Sequence, residues 1–444
     1  MKLSLSSIAA VVGGKLNKCA DGNREVTGFF TDSRVTDKEK LFLGLIGEKT
    51  DGNSFVPSVV ESGCAAMTDA EYNSGLQGDV ITVPDVRKAL LALAENYREN
   101  TVKDIPFVGI TGSVGKTTTK DMVALALSSA KEVRKTIGNA NSQLGLPQTV
   151  LSVEPSDDIA VVELGMSYFG EMERIAVCAK PDISVITNIG HSHIENLGSR
   201  ENIRNEKIKI TAFSKKGSIV LLNGDEPLLR EINLPDREIY FMSETDKTAS
   251  SYAENVVIDE SGLSFTAVIF GEKADVKLNV LGRHYIMNTL FALSVCKLSG
   301  VDVKNAANLL QSYKSDGKRQ FIFEKNGMKI ISDCYNASPE SMSAALSVLK
   351  TYKTRRVAVL GDMLELGETS PELHKNVGSL VSSSADVLIT YGELSKNIAL
   401  GCDLTEKYSF ADMCELKKFL SSYLKEGDTV LFKASNGMHL GEAI

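Results

Sequence analysis

Several features are missing from this sequence, and each absence removes a class of protein. No apolar run approaches the roughly 18 residues that a membrane-crossing helix needs, so no membrane span is expected. None of the seven cysteines forms a C-x-x-C pair, so neither a zinc site nor a disulfide frame is indicated. Reducing cytoplasm is the compartment this favours. There is no excess of positive charge. A net charge of −8, from 49 Lys and Arg against 57 Asp and Glu, argues against a nonspecific nucleic-acid binder. It leaves room for a local basic pocket that takes an anion. No low-complexity segment and no internal repeat is detectable. The opening MKLSLSSIAAVVGGKLNK lacks the long apolar core and small-residue cleavage site of a signal peptide, and Ser4 to Val12 reads as a short helix.

What is present is an ordinary globular balance, 43% hydrophobic and 24% charged. A chain of 444 residues exceeds one ordinary domain, and roughly two to four are expected.

The most informative stretch is GITGSVGKTTT at 109–119. An apolar run, Ile105-Pro106-Phe107-Val108, precedes it, and KDMVALALSSA follows with apolar positions at helical spacing. Strand, glycine turn and helix start make a phosphate cradle. Gly112 and Gly115 permit backbone conformations that a β-carbon forbids. Backbone N–H groups of the turn, Ser113 and Thr118 among its residues, can then face an anion at a helix N-terminus. Lys116 can reach terminal phosphate oxygens, and the Thr117 hydroxyl can ligate Mg²⁺. The usual G-x-x-x-x-G-K-[ST] pattern wants glycine where this chain has Ile110. The bland alternative is a tight turn with an exposed lysine.

Three regions separate along the chain. Residues 1–83 alternate short strands and helices and carry TDSR and GEKTDGNSF. Residues 84–313 open with a helix, VRKALLALAENYREN, and then the cradle. Apolar runs AVVEL, ISVITNIG and SIVLLNGD follow, bounded by Gly, Asn and Asp. They predict a parallel sheet covered on both faces. Residues 314–444 repeat the alternation in MKIISDCYNA, RRVAVLGDM, ADVLITYG and TVLFKASN, a second α/β unit. There Ser338 reads as an N-cap and Pro339 as the first helical residue. The strand before them is expected to end at Cys334 or Tyr335, which puts Asp333 and Asn336 at a strand's carboxyl end, where ligands collect.

Other candidates are weighed on their residues. Glu163 ends the strand AVVEL and suits a Mg²⁺ ligand, or is a solvated strand-end acid. His191 and His193 follow a buried strand; either is an ordinary loop residue or a ligand to a second metal. Glu195 in the same loop is a less regular candidate. Lys207 lies in the helical RENIRNEKIKITAF, where it and Lys209 read as a solvated face partnered by Arg204 and Glu206. Asn288, on the apolar helix of LGRHYIMNTLFALSV beside Arg283 and His284, needs a partner if buried: a nucleotide base or a backbone carbonyl.

Taken in order, TDSR, GITGSVGKTTT, GNANSQLGLP, VVELGMS, VITNIGHSH, LGRHYIMN, SDCYNASPESM, AVLGDMLELGETSPELH and FKASNGM resemble the Mur ligases of bacterial cell-wall synthesis. The resemblance spans almost the whole chain. It implies an α/β protein of three domains: a small UDP-binding domain, a central P-loop-type domain with a parallel sheet, and a C-terminal Rossmann-like domain. YNASPESM and LGDMLELG imply the branch that joins D-alanyl-D-alanine to UDP-N-acetylmuramoyl tripeptide through an acyl phosphate. The substrates implied are those two small molecules and ATP, with two Mg²⁺ ions, no nucleic acid and a monomeric cytoplasmic enzyme. Carried over by position, Lys116 and Thr117 hold the triphosphate and the first Mg²⁺, and Glu163 and His193 hold the second. Lys207 matches the lysine that becomes carbamylated. Asn288, Arg319, Asp333 and Asn336 contact ATP. Ser33 and Arg34 help hold the UDP end, and Asn141 lies near the muramoyl portion. The chain departs from the family at Ser142, where a second asparagine is common, and at Ala434 and Asn436, where glycine and arginine are common. It departs again at His191, commonly acidic. Another amino-acid ligase of the superfamily, a folylpolyglutamate synthase, and a P-loop ATPase or switch remain the competing readings.

Overall fold

The computed structural model describes residues 2–47, 50–72, 75–315, 317 and 319–444. Glu48 and Lys49 of the GEKTDGNSF stretch lie outside the described residues. Three main sheets follow one another along the chain. The first has five short strands in the order Lys15–Leu16, Val80–Val83, Ala65–Asp69, Leu41–Leu43 and Phe29–Phe30, parallel except for the outermost Lys15–Leu16.

The central sheet has nine strands. Its parallel heart runs Ile219–Asn223, Ile183–Ile186, Phe107–Thr111, Ile159–Glu163 and Val133–Lys135. Every residue of Phe107–Thr111, Ile159–Glu163 and Ile183–Ile186 is buried. Successive residues point to opposite faces of a strand, so both faces must be covered. Val108 and Ile110 enter one core with Met122, Val123 and Phe291, while Phe107 enters another with Leu90, Leu93 and Met172. Beyond Glu238–Ser243 the sheet continues as an antiparallel meander, Ser251–Asp259, Gly262–Ile269 and Glu272–Leu278. The reading of the sequence above did not include it. Its signal is alternation: Ala274, Val276 and Leu278 are buried between exposed Lys273, Asp275 and Lys277.

The third sheet runs Phe321–Lys325, Met328–Asp333, Thr429–Lys433, Arg356–Gly361, Val387–Tyr391 and Lys407–Phe410, parallel except at its first strand. Met328–Asp333 stops one residue short of Cys334, because its partner strand ends opposite it, with Asp333 paired to Lys433. Ser338 then caps Pro339–Leu349 in a capping box with Ser341. Asp85 caps Val86–Asn100, and Ser4 caps Leu5–Val12. All seven cysteines are free. Among the described residues, no helix is long and apolar enough to cross a membrane.

Candidate active site

In the central sheet the strand order reverses at Phe107–Thr111, which lies between Ile183–Ile186 and Ile159–Glu163. Open α/β sheets take ligands at the carboxyl ends of strands at such a point. Ile110 pairs with Glu163 on one side and Thr111 with Ile186 on the other, so three strand ends open onto one place. Ile110 itself is fully buried within the strand. A glycine there has no conformational task, because the turn begins at Gly112. Gly112 has φ +151°, and a β-carbon on it would stand 1.9 Å from Thr187 Oγ1. Gly115, at φ +82°, leads into the helix Lys116–Leu127. Asn188 braces the turn: its Oδ1 accepts from Ser113 N at 3.0 Å and Val114 N at 2.9 Å. The Thr187 hydroxyl donates to Val114 O at 2.6 Å.

Glu163 is 1% exposed and fully engaged. The Thr117 hydroxyl donates to its Oε2 at 2.8 Å, and Asn141 Nδ2 donates to its Oε1 at 2.7 Å. Lys120 lies 3.9 Å from Oε2 and donates to Thr136 O and Gly138 O at 2.9 and 3.1 Å. A buried carboxylate beside a threonine hydroxyl is the oxygen-donor chemistry that hard cations such as Mg²⁺ select. The reading of Glu163 as a solvated strand-end acid is therefore wrong. Asn288 Oδ1 accepts from the Thr119 hydroxyl at 3.0 Å, so its protein partner is a side chain rather than a backbone carbonyl.

The two cradle lysines share one acceptor. Lys116 Nζ donates to Gly112 O at 2.8 Å and Ser113 O at 3.3 Å, and Lys207 Nζ donates to the same Gly112 O at 2.9 Å. Burial lowers the Lys116 pKa, with Glu163 opposing and Arg319 adding to the shift. Lys207 is 1% exposed, and burial together with the neighbouring Lys116 charge lowers its pKa well below the ordinary lysine value. The solvated face expected for Lys207 is thus overturned. Its helix, Arg200–Lys207, ends under the cradle and passes into a 3₁₀ turn, so of the two lysines Lys209 alone pairs with Glu206, at 2.8 Å, and that glutamate is itself buried.

A cavity of about 800 Å³ lies over the cradle. Ser113, Gly115, Lys116, Thr117, Thr118, Asn141, Glu163, His193 and Asn288 line it from the central sheet's side. Arg319, Asp333, Asn336 and Lys433 line it from the third sheet's side. Lys433, 1% exposed, donates to Asp333 Oδ2 at 2.6 Å and Asn336 O at 2.9 Å. The Arg319 guanidinium sits 4.4 Å from the centre of the Tyr335 ring. Gly112 and Lys207 lie beneath the lining. Ser33 and Arg34 line neither this cavity nor the smaller one of about 660 Å³ between Gly44–Ile46, Asp69–Glu71 and Pro84–Arg87. Arg34 instead forms an exposed ion pair with Asp32 at 2.7 Å. Arg87 lines both cavities.

Residues 110–296 match the Mur ligase middle domain, and residues 318–436 match the Mur ligase, glutamate ligase domain. Over its whole length the chain is 37% identical to the UDP-N-acetylmuramoyl-tripeptide–D-alanyl-D-alanine ligase of Bacillus subtilis, of which it covers 98%. The chain belongs to the Mur ligase family. Its fold matches a crystal structure of MurF from Acinetobacter baumannii with a TM-score of 0.92 and 26% identity, covering 100% of this chain and 98% of that one. MurF ligase from Thermotoga maritima, solved in complex with ADP, matches with a TM-score of 0.84 and 28% identity over 94% of this chain and 96% of that one.

His191, where the resemblance implied an acidic residue, finds its acid across the domain boundary. Its Nδ1 lies 2.6 Å from Glu340 Oε1. Burial works against the Glu340 carboxylate, but the His191 hydrogen bond, backbone hydrogen bonding and the His191 charge together outweigh it and keep the pKa below the ordinary value. Ala434 is buried against Gly361, and Asn436 is exposed and away from the cavity. The sequence reading missed Asn188, Lys120, Lys433 and Arg87. Only Asn188 carried a local signal, as a hydrogen-bonding residue at a strand's carboxyl end.

Proposed function

We propose that this chain joins the amine of D-alanyl-D-alanine to the terminal carboxylate of UDP-N-acetylmuramoyl tripeptide, cleaving ATP to ADP and phosphate, in cytoplasmic synthesis of the peptidoglycan precursor. One observation carries the reading. The P-loop cradle and the third sheet's Arg319, Asp333 and Asn336 line the same cavity, so a nucleotide held by one meets the other.

The tripeptide carboxylate attacks the γ-phosphate, and ADP leaves. Lys116 turns from Gly112 O to the transferring phosphoryl oxygens and offsets their charge. The acyl phosphate is then attacked by the dipeptide amine, and phosphate leaves as the amide forms. Thr117 and Glu163 would hold one Mg²⁺, and Glu163 and His193 a second; bound there, the ions would neutralise charge on the phosphates. Closure of the third domain excludes water, which would otherwise hydrolyse the acyl phosphate. Burial and the adjacent Lys116 favour a neutral Lys207 amine, the form that takes up carbon dioxide, which supports a carbamate at this residue.

The division of labour follows the three sheets. Residues 1–83 bind the UDP end with help from Ser33 and Arg34, residues 84–313 bind ATP, and residues 314–444 close over it. Arg87, at the junction of the two cavities, favours a substrate that extends from the first domain into the second. Asn141 stands where the muramoyl portion would pass.

The test is phosphate release from ATP and Mg²⁺ with each acceptor singly and with both. Release that requires both, with one pentapeptide product formed per phosphate, is the expected result. Release indifferent to either acceptor would return the chain to the ATPase class.

A further inference from the structure

Two residues outside the P-loop, one on each side of the domain boundary, hold a backbone conformation that side chains disfavour. His193 has φ 65°, and Glu365 has φ 63°. Such strain persists only where the surroundings impose it. The two face one another, with His193 Nδ1 2.5 Å from Glu365 Oε2. Each is held from behind. His193 starts the short helix Ile194–Leu197, which is tied to the Glu365 loop by Glu195 N donating to Glu365 O at 3.3 Å. Glu365 sits on the loop after the strand Arg356–Gly361. There Met363 N donates to His374 Nε2 at 3.0 Å, and Leu364 N donates to Ser435 Oγ at 3.0 Å. His374 is fully buried, with its Nδ1 2.7 Å from Ser370 O. The loop that presents Glu365 is thus braced from two directions.

We infer that Glu365 is a positioning residue for His193: the carboxylate fixes the ring with its proton on Nδ1 and leaves Nε2 for the cavity that His193 lines. A histidine that ligates a metal is commonly oriented by such a carboxylate on its other nitrogen. Here the histidine and the carboxylate belong to different domains. Docking of the third domain therefore completes the support of a ligand carried by the second, and cation binding favours the docked arrangement by the same coupling. The inference rests on the proposed role of His193 toward the second Mg²⁺.

The test uses the full chain with its five histidines labelled with ¹⁵N in the ring, and Mn²⁺ titrated with ADP present and followed by electron paramagnetic resonance. H193N assigns the His193 signals. The wild type is expected to carry the His193 proton on Nδ1. E365A is expected to lose that fixed tautomer and to bind Mn²⁺ roughly ten- to a hundredfold more weakly. E365Q keeps an acceptor oxygen and is expected to retain most of both. A His193 proton fixed on Nε2 in the wild type, or an E365A protein unchanged in tautomer and Mn²⁺ affinity, would overturn the inference. H193A separates the two levels. Unchanged Mn²⁺ binding in H193A would overturn the metal role of His193 itself. Weakened binding in H193A with unchanged binding in E365A would overturn only the part given to Glu365.

Discussion

The two walls of the cavity are built differently. On the central wall, polar groups find their partners within one domain: Thr117 and Asn141 on Glu163, Lys120 on Thr136 and Gly138, Asn188 on the turn. That wall is arranged before any ligand arrives, as electrostatic stabilisation of a phosphoryl group requires. The third-domain wall is also knit internally, through Lys433, Asp333 and Asn336. Its ties to the central wall include two histidine–carboxylate pairs, His191–Glu340 and His193–Glu365. Ties of that kind form and break at modest cost, which suits a part that must move away to admit substrates. On the proposed mechanism, chemistry is fixed on one wall, and access is governed by the other.

The sharpest break of that contrast is Lys116→Ala. Among the described residues its ammonium donates to the loop carbonyls of Gly112 and Ser113, so removing it should leave the fold intact. Activity should fall by roughly 10³-fold, the scale of losing one preorganised charge-stabilising donor. Phosphate release and the melting temperature measure the two halves. Normal ligation would remove the cradle from the mechanism, and a large fall in melting temperature would show that the central wall's stability and function are not separable.

Lys207→Ala tests the same wall one layer deeper. A loss on the order of 10²-fold is expected. Short carboxylic acids should restore part of it by supplying the missing anion. Full activity in plain buffer would show that no carbamate is needed.

On the other wall, Lys433→Ala is expected to act on stability. It strands Asp333, whose side chain is only 16% exposed, and removes a donor from Asn336 O. Breaking a buried pair from one side costs about 3 kcal/mol or more. Thermal unfolding should show the loss. An unchanged third-domain transition would mean that the pair is not what holds the wall together.

Legibility in the sequence followed the same divide. The cradle was readable because its strand, glycines, lysine and threonine are contiguous, and local chemistry decides the turn. Glu163 was readable as a position, since an acid ending an apolar strand stands out, while its burial was not. Lys207 was misread. Charges at helical spacing look solvated until the helix is known to end under the Gly112 carbonyl. Lys433 and Asp333 lie 100 residues apart in sequence, and His193 and Glu365 lie 172 apart. No spacing rule reaches such pairs; the packing of one sheet against another makes them. The central meander was missed for a different reason: it offers no continuous apolar run, with Lys and Asp exposed between single buried residues.

The smallest effect belongs to Ser338. Its hydroxyl accepts from Ser341 N at 3.4 Å while the Ser341 hydroxyl accepts from Ser338 N at 2.9 Å, a reciprocal cap on Pro339–Leu349. The helix starts four residues after Tyr335 and carries Glu340 in its first turn, so the cap also sets where the His191 partner stands. Ser338→Ala removes one half of the cap and should cost about 1 kcal/mol. Because the site is 2% exposed, Ser338→Gly is the useful control: it removes the same hydroxyl but tolerates the N-cap backbone. If thermal unfolding shows the alanine variant weaker than the glycine variant, the cap acts through backbone geometry as well as its hydrogen bond. Equal losses would assign it to the hydrogen bond alone. A loss of ligation far beyond the loss of stability would show that the helix start also aligns Glu340, and the third-domain wall would then share in positioning the site rather than only covering it.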